Sequence, residues 1–251
     1  MTRPAAGDGF DVRSLAVTFR DGHRLPSHSH PWAQLVYARS GLMHVTTQGR
    51  VWFVPPTRAI WIPAGLVHDI GVRGEVALRT LYISAERARG VNRAAEALEV
   101  SPLLSELILH ILAVGMLDPA RAEHDRLAAV LMDLVVAAPA IDLALPMPRD
   151  PRALKLAEWL RADPADKTDL ETLAAEAGAS QRTLQRCFSD ETGLTIETWR
   201  QKARLVHSAA ALASGISVTE AALDCGYDSP SAFIAAFRRQ FGVTPGRFNE
   251  G

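Results

Sequence analysis

The spacing of hydrophobic and polar positions changes twice along the chain. Up to about residue 83, apolar and polar residues alternate in short runs between glycine and proline turns, a pattern that predicts β-strands. The predicted strands are Ser14–Phe19, Ala33–Ala38, Leu42–Thr47, Val51–Val54, Ala59–Ile62, Val67–Val72 and Val76–Ile83. Many short strands at this spacing are typical of a sandwich or barrel, so we expect residues 1–90 to form an all-β barrel domain.

Residues 91–145 have a helical period instead. One apolar stripe contains Leu103, Leu104, Leu107, Ile108, Ile111 and Leu112, and a second contains Leu127, Val130, Leu131, Leu134 and Val135. Two consecutive amphipathic helices either cover the barrel or pair with a second copy of the chain. The sequence leaves both open, the second being a homodimer formed through residues 101–138.

A proline-rich segment, residues 146–151, separates these helices from the rest of the chain. Its three prolines cannot continue a helix and predict a stiff linker. Asp150 is placed to cap the next helix with Pro151 at its first position, and residues 152–251 are predicted to be all-α.

The last hundred residues contain an internal repeat, in units 170–192 and 218–241. Gly178 and Gly226 are 48 positions apart, and the pairs Leu184/Phe233 and Phe188/Phe237 are 49 apart. Each copy is predicted to be a helix, a glycine turn and a second helix, which is a helix-turn-helix unit. The predicted caps are Thr168 and Ser217 for the first helices, and Ser180 and Ser229 for the second helices.

Two such units in register, joined by one long helix over about 196–214, resemble the DNA-binding domain of the AraC/XylS family. The resemblance covers residues 150–249 and includes the closing run Gly242-Val-Thr-Pro-Gly-Arg-Phe248. It implies a cytoplasmic transcriptional regulator whose two recognition helices enter adjacent major-groove segments of one duplex, roughly 34 Å apart.

The two recognition helices carry different candidate DNA contacts. In the first, Arg182 and Arg186 stand on one face with Gln181 and Gln185 nearby, and these side chains can pair with base edges. The equivalent positions of the second are short, so asymmetric readout is expected. Its candidate base contacts are Ser231, Ala232 and Ala235; the candidate phosphate contacts are Ser180, Ser229, Arg238, Arg239 and Arg247.

Two segments of the first domain resemble the two cupin motifs. They supply His28, His30 and Gln34, which share strand parity, and His68 from a later strand. This set could hold Zn²⁺, Ni²⁺, Fe²⁺ or Mn²⁺, although glutamine replaces the carboxylate of the cupin pattern. A metal-free effector pocket and simple packing are the alternatives.

An effector pocket in the same domain would be apolar with a few polar anchors. Trp32, Tyr37, Arg58 and Trp61 are candidate wall residues. The run from Trp52 to Gly65 resembles AraC-type regulators with short cupin sensor domains. The expected fold is therefore an all-β cupin-like barrel with appended helices, followed by an all-α double helix-turn-helix domain.

Composition adds exclusions. The 251 residues carry a net charge of −1, and residues 150–251 are not basic overall, so the case for DNA rests on the motifs. The N-terminus has no apolar core for a signal peptide, no apolar run is long enough to span a membrane, and there are only two cysteines. These features favour a cytoplasmic, reduced protein.

Two function classes remain. The first is a transcriptional regulator that binds double-stranded DNA and a small-molecule effector, with RNA polymerase as a candidate partner and no catalytic residues. The second is a metal-dependent cupin enzyme with a helical appendage. The absence of a carboxylate at Gln34 favours the regulator.

Overall fold

A computed structural model describes residues 9–56, 58–91, 94–213 and 215–248. These residues divide into two compact units. The first contains residues 9–48 and 54–142, and the second contains 49–53 and 143–248. No described helix is long and apolar enough to cross a membrane.

The first unit is built on antiparallel strands. Its strands are β1 (Val12–Phe19), β2 (Arg24–His28), β3 (Ala33–Ala38), β4 (Leu42–Thr47), β6 (Arg58–Ile62), β7 (His68–Arg73), β8 (Val76–Ile83), β9 (Glu96–Glu99), β10 (Met116–Leu117) and β11 (Ala140–Ile141). β5 (Arg50–Val54), of which 50–53 lie in the second unit, pairs there with β12 (Ala144–Pro146). A seven-stranded sheet has the order β10-β1-β8-β3-β6-β9-β11, and in a second sheet β4 pairs with β7 and β7 with β2. The expected cupin-like all-β fold is therefore confirmed as two sheets, which the described strands do not close into one barrel.

Two helices pack on the seven-stranded sheet. α1 (Pro102–Val114) begins at the cap Ser101, and α2 (Ala122–Ala137) runs beside it. Leu104, Ile108 and Ile111 of α1 join Leu131 and Val135 of α2 in one buried cluster with residues of β1, β3, β6 and β8. Most of each predicted apolar stripe thus forms the inner face of its helix, whereas Leu103 and Val130 are exposed by 62% and 44%.

The second unit is mainly helical. Gly178 and Gly226 follow the first helix of each pair with φ of 74° and 73°, a conformation that favours glycine. Ser217, Ser180 and Ser229 cap their helices as expected. The helices are α3 (Pro151–Ala162), α4 (Leu170–Glu176), α5 (Gln181–Thr192), α6 (Ile196–Ala213), α7 (Val218–Asp224), α8 (Pro230–Phe241) and α9 (Pro245–Phe248).

One predicted cap is wrong. α4 is capped by Asp169, whose carboxylate accepts from the Thr172 backbone N–H at 2.9 Å, and not by Thr168. The Asp169 carboxylate also accepts from the Thr172 hydroxyl. The Thr168 backbone N–H donates to Asp166, so this residue belongs to the preceding turn.

The segment predicted as a linker is held within the second unit. Pro146 ends β12, which pairs with β5. Its carbonyl accepts from the indole N–H of Trp199 at 2.6 Å. The Glu191 carboxylate accepts from the backbone N–H groups of Arg149 and Asp150. These bonds fix the start of α3 to helices α5 and α6.

Candidate nucleic-acid interface and histidine site

The first recognition helix, α5, turns its charged side chains outward. Leu184 and Phe188 are fully buried, and Phe188 packs edge-on against Trp199. Arg182, one turn before Arg186, is exposed, as is Arg186 itself. Gln181 and Gln185 are exposed as well. The four side chains proposed to read bases are therefore free of the core.

The second recognition helix, α8, is built on the same plan with different outward chemistry. Phe233 and Phe237 are fully buried, and aromatic contacts extend from them to Tyr227, Phe241 and Phe248. The exposed side chains of α8 are uncharged until the last turn, where two arginines lie. The exposed residues are Ser231, Ala232, Ile234, Ala235, Arg238 and Arg239 on α8, with Arg247 on α9.

Ser180 and Ser229, predicted phosphate contacts, are exposed at the starts of the two recognition helices. Each hydroxyl accepts a backbone N–H three residues later, at 3.3 Å. The Ser180 hydroxyl is also hydrogen-bonded to the Thr183 hydroxyl at 3.0 Å, whereas the Ser229 hydroxyl keeps its proton for another contact. Their role toward phosphate stays a prediction.

The turn of the second helix-turn-helix unit packs through a glycine against the segment that precedes the first unit. A Cβ on Gly226 would stand 3.3 Å from the Cα of Ala165, in the turn before α4. Arg204 of α6 binds the same turn, since its guanidinium donates to the carbonyls of Pro164 and Asp166. The turn of the second unit is thereby fixed against the segment that leads into the first.

Three histidines of the first unit meet at one point. His28 and His68 are direct partners in the β2/β7 pairing, and their ring centroids are 4.4 Å apart. His30 lies beyond the end of β2, with its ring 5.2 Å from that of His68. One ring nitrogen from each histidine lies within 4.8 Å of the other two.

The reason we gave for this convergence is wrong, although the residues do converge. His28, His30 and Gln34 do not share one strand, because β2 ends at His28 and β3 begins at Ala33. His30 lies in the turn between these strands, with its ring close to those of His28 and His68. Gln34 reaches His30 from the other sheet.

Backbone carbonyls set the tautomer of all three rings. The Nδ1 atoms of His28, His30 and His68 each lie 2.8 Å from a carbonyl oxygen two residues away. A carbonyl oxygen can only accept, so each Nδ1 carries the proton and donates it. In a ring that is neutral, the lone pair is then on Nε2. Metal-bound histidines use the same device, in which the second ring nitrogen donates to a backbone or carboxylate oxygen.

Gln34 adds a fourth acceptor. Its Nε2 donates to the Thr80 hydroxyl at 3.0 Å, and that hydroxyl donates to the Leu35 carbonyl at 3.1 Å. This chain of bonds turns the amide oxygen toward His30 Nε2, 3.1 Å away. Two acceptors at that distance attract a cation or a proton between them.

Burial disfavours protonation of His68. His68 is 1% exposed, and its Nε2 has no hydrogen-bond partner among the described residues. Desolvation lowers the pKa of His68 to about 4, against a weaker opposing effect of its bond to the Leu66 carbonyl. At neutral pH His68 thus presents an unprotonated nitrogen.

The four predicted effector-pocket residues are all buried. Tyr37 and Trp61 belong to the cluster beneath α1 and α2, and the Tyr37 hydroxyl bonds Ser105. Trp32 lies under the guanidinium of Arg13, and burial lowers the pKa of Arg58, opposed by nearby Glu99. Their role toward an effector stays a prediction.

Comparison with known proteins gives the same division of the chain. Residues 14–145 match the family model of the AraC-like ligand binding domain, and residues 173–251 match that of a helix-turn-helix domain. The HTH-type transcriptional regulator NimR of Escherichia coli is 34% identical over 223 residues, which are 89% of this chain and 81% of NimR.

Two further similarities cover the C-terminal part of the chain. HTH-type transcriptional regulator RipA of Corynebacterium glutamicum is 41% identical over 107 residues, 43% of this chain and 32% of that protein. A crystal structure of the DNA-binding domain of AdpA with a target DNA is 36% identical and covers 41% of this chain and 92% of that one, with a TM-score of 0.37.

A ligand-binding domain of cupin-like sheets, followed in the chain by a tandem helix-turn-helix domain, defines a transcriptional regulator. The chain belongs to the AraC family of such regulators. This membership decides between the two function classes in favour of the regulator, because its relatives regulate transcription rather than catalyse a reaction.

Proposed function

We propose that this regulator reads DNA unequally with its two recognition helices. Arg182, Arg186, Gln181 and Gln185 of α5 contact base edges and supply most of the sequence preference. On α8, Ser231, Ala232 and Ala235 contribute little hydrogen bonding. This proposal rests mainly on the exposure of Arg182 and Arg186, which lie one turn apart on a helix whose opposite face is buried.

The arginines of the second unit are assigned to phosphates. Arg238, Arg239 and Arg247 are exposed, and no acidic residue lies in the first turn of α8. Ser229 is placed to join them through its hydroxyl proton, and Ser180 by exchanging its hydrogen bond with the Thr183 hydroxyl for one to a phosphate oxygen. Such contacts position the protein on the duplex without specifying sequence. Because the partner is chromosomal DNA, the expected location is the cytoplasm.

Selection of binding sites from a randomised duplex library by the full chain tests this assignment. We expect two half-sites about one helical turn apart, one sharply defined and one loosely defined. Arg186→Ala should flatten the sharp half-site, while the loose half-site should stay as it is. Two equally sharp half-sites in the unaltered protein contradict unequal readout.

For the first unit we propose that a divalent transition metal binds His28, His30 and His68, with the Gln34 amide oxygen as a fourth ligand. Support comes from three histidine rings that all donate Nδ1–H to backbone carbonyls and that each bring one ring nitrogen within 4.8 Å of the other two. Nitrogen-rich sites of this kind suit Zn²⁺, Ni²⁺, Fe²⁺ or Mn²⁺. Ligands about 2.1 Å from one ion are at most about 4.2 Å apart, so the widest pair would close slightly.

The metal would serve as the effector, or as the anchor of one. A ligand changes DNA affinity only if it binds two states of the protein unequally. A bound metal is therefore expected to change the affinity of the full chain for its selected duplex, and the measured ratio gives the coupling. A small molecule bound in a metal-free pocket is the alternative effector.

Metal content measured on purified protein, followed by equilibrium dialysis against Zn²⁺, Ni²⁺, Mn²⁺ and anaerobic Fe²⁺, separates these effectors. We expect one ion per chain, and its loss in His68→Ala with retention in His110→Ala, whose histidine is exposed on α1. Gln34→Glu supplies the missing carboxylate and should tighten binding. A folded protein that takes up none of the four ions at micromolar concentration favours the metal-free pocket.

Self-association through residues 101–138 also remains a proposal, as does a contact with RNA polymerase. Although α1 and α2 bury their inner faces, Leu103, Val130 and Val136 are exposed by 62%, 44% and 51%. Light scattering on the full chain tests the dimer. Leu103→Arg should lower the molar mass if these helices pair, and an unchanged dimer would place the interface elsewhere.

A further inference from the structure

Ile234 is an exposed apolar side chain on a helix that is otherwise expected to read DNA. It is 36% exposed, one of few large apolar side chains in the described part of the chain to reach that level. A single exposed apolar residue carries no meaning by itself. Its place in the repeat is the informative feature.

The repeat aligns Ile234 with Gln185. Both follow the buried residue of the aligned pair Leu184/Phe233 by one position, at the same offset of 49. Gln185 is exposed on the proposed base-reading face of α5. The second unit therefore presents an isoleucine where the first presents an amide.

The neighbours of Ile234 leave it as the longest apolar group on that part of α8. Ser231, Ala232 and Ala235 are shorter, and the next long side chains are Arg238 and Arg239 in the last turn. In the major groove, the group that matches an apolar side chain is the 5-methyl of thymine.

We propose that Ile234 is the specificity-determining residue of α8 and reads the 5-methyl group of a thymine in the second half-site. This assignment rests on the proposed DNA readout and deepens it. The second half-site is then not simply weak: it is read by apolar contact, with Ala235 extending the same surface. The first half-site is read by hydrogen bonds.

The test replaces thymine by deoxyuridine, which removes the methyl group and keeps every hydrogen bond of the base pair. Full-length protein is titrated with the duplex obtained from site selection, with deoxyuridine in the second half-site only or in the first only. Burial of one apolar carbon group contributes about 0.8 kcal/mol, so second-site substitution should weaken binding about fourfold. First-site substitution should have almost no effect.

Variants assign the effect to the side chain. In Ile234→Ala the penalty for deoxyuridine should vanish, and Ile234→Gln should shift the preferred base of the second half-site toward adenine. Leu223→Ala is the matched control, because Leu223 is 59% exposed on α7 but lies outside the recognition helix, and it should keep the fourfold penalty.

The outcomes separate two failures. If the chain binds no selected duplex, the proposed function itself fails. If it binds one but the second half-site contains no thymine, or if deoxyuridine and Ile234→Ala leave affinity unchanged, the role of Ile234 is overturned while the readout by α5 stands. A penalty that persists in Ile234→Ala assigns the methyl contact to another residue and also overturns it.

Discussion

Gly178 and Gly226 form a matched pair that measures what the close contact between the second helix-turn-helix unit and the turn before α4 contributes. Both follow the first helix of their unit with nearly the same positive φ. Only Gly226 has a neighbour: its added Cβ would lie 3.3 Å from the Cα of Ala165, whereas that of Gly178 would meet nothing within 4 Å. Alanine at either position strains the backbone alike, so the difference isolates the contact.

The expected magnitudes follow from these distances. A left-handed conformation costs a non-glycine residue roughly 1–2 kcal/mol. Alanine also reduces the conformational entropy of the unfolded chain, which offsets about 0.4–1 kcal/mol of that cost. Gly178→Ala should therefore lower the free energy of unfolding by about 1 kcal/mol. At Gly226 the close neighbour is backbone, which cannot rotate away, and overpacking of this kind adds roughly 1–3 kcal/mol. The total for Gly226→Ala is about 2–4 kcal/mol.

Hydrogen exchange on the full chain, followed by mass spectrometry, is the suitable assay because it reports each unit separately. In Gly226→Ala, peptides from α7 and α8 should exchange at least tenfold faster than the same peptides in the unaltered protein, since 1.4 kcal/mol corresponds to a factor of ten. In Gly178→Ala, peptides from α4 and α5 should accelerate less. Equal acceleration in the two variants would refute the contact argument.

Three further predictions concern single side chains. In metal-free protein, His68 is protonated only near pH 4 in the folded state but near pH 6.5 in the unfolded chain. The free energy of unfolding, measured by urea titration, should therefore fall by up to about 3 kcal/mol as the pH is lowered through this range. If His68→Asn shows the same dependence of that free energy on pH, the assignment to His68 is contradicted. Arg186→Ala should cost about 1–3 kcal/mol on the preferred base alone, while Arg238→Ala should weaken all duplexes alike and lower the salt dependence of binding; a loss of base preference in Arg238→Ala would reverse the two roles. Burial raises the pKa of Cys225 to about 12, so iodoacetamide at pH 8 should label half-buried Cys187 first and Cys225 only after denaturation, and early labelling of Cys225 would disprove its burial.

Strands rich in apolar and β-branched residues between clear turn signals were predictable, three of them to the residue, whereas strands without that composition were missed. β3, β4 and β8 have the bounds that the hydrophobic pattern gave. β2 escaped because its sequence, Arg-Leu-Pro-Ser-His, contains a proline and one large apolar residue. The short strands β9 and β12 pair only through tertiary contacts, and such contacts override local propensity.

The DNA-binding helices were predictable because the repeat supplied an internal alignment. It placed Ser180 and Ser229 as caps and put Arg182 and Arg186 on the outward face. Ile234 was not among the candidate base contacts, because those were chosen mainly for their hydrogen-bonding groups. Its alignment with Gln185 was the signal that could have found it.

The histidine site was predictable in membership but not in construction. Spacing identified His28, His30, Gln34 and His68, whereas the roles of Thr80 and of the backbone carbonyls needed coordinates. Bonds from each Nδ1 to a carbonyl two residues away have no side-chain signature. They nevertheless decide which nitrogen is available.

The tandem arrangement also bears on how such a regulator changes over generations. Its two readers share one set of buried residues, Leu184 and Phe188 in one copy and Phe233 and Phe237 in the other, and differ outside it. An outward substitution in either copy leaves the interior of both intact. If each helix reads its own half-site, as proposed, a target site can change one half at a time while the unchanged half keeps the protein bound.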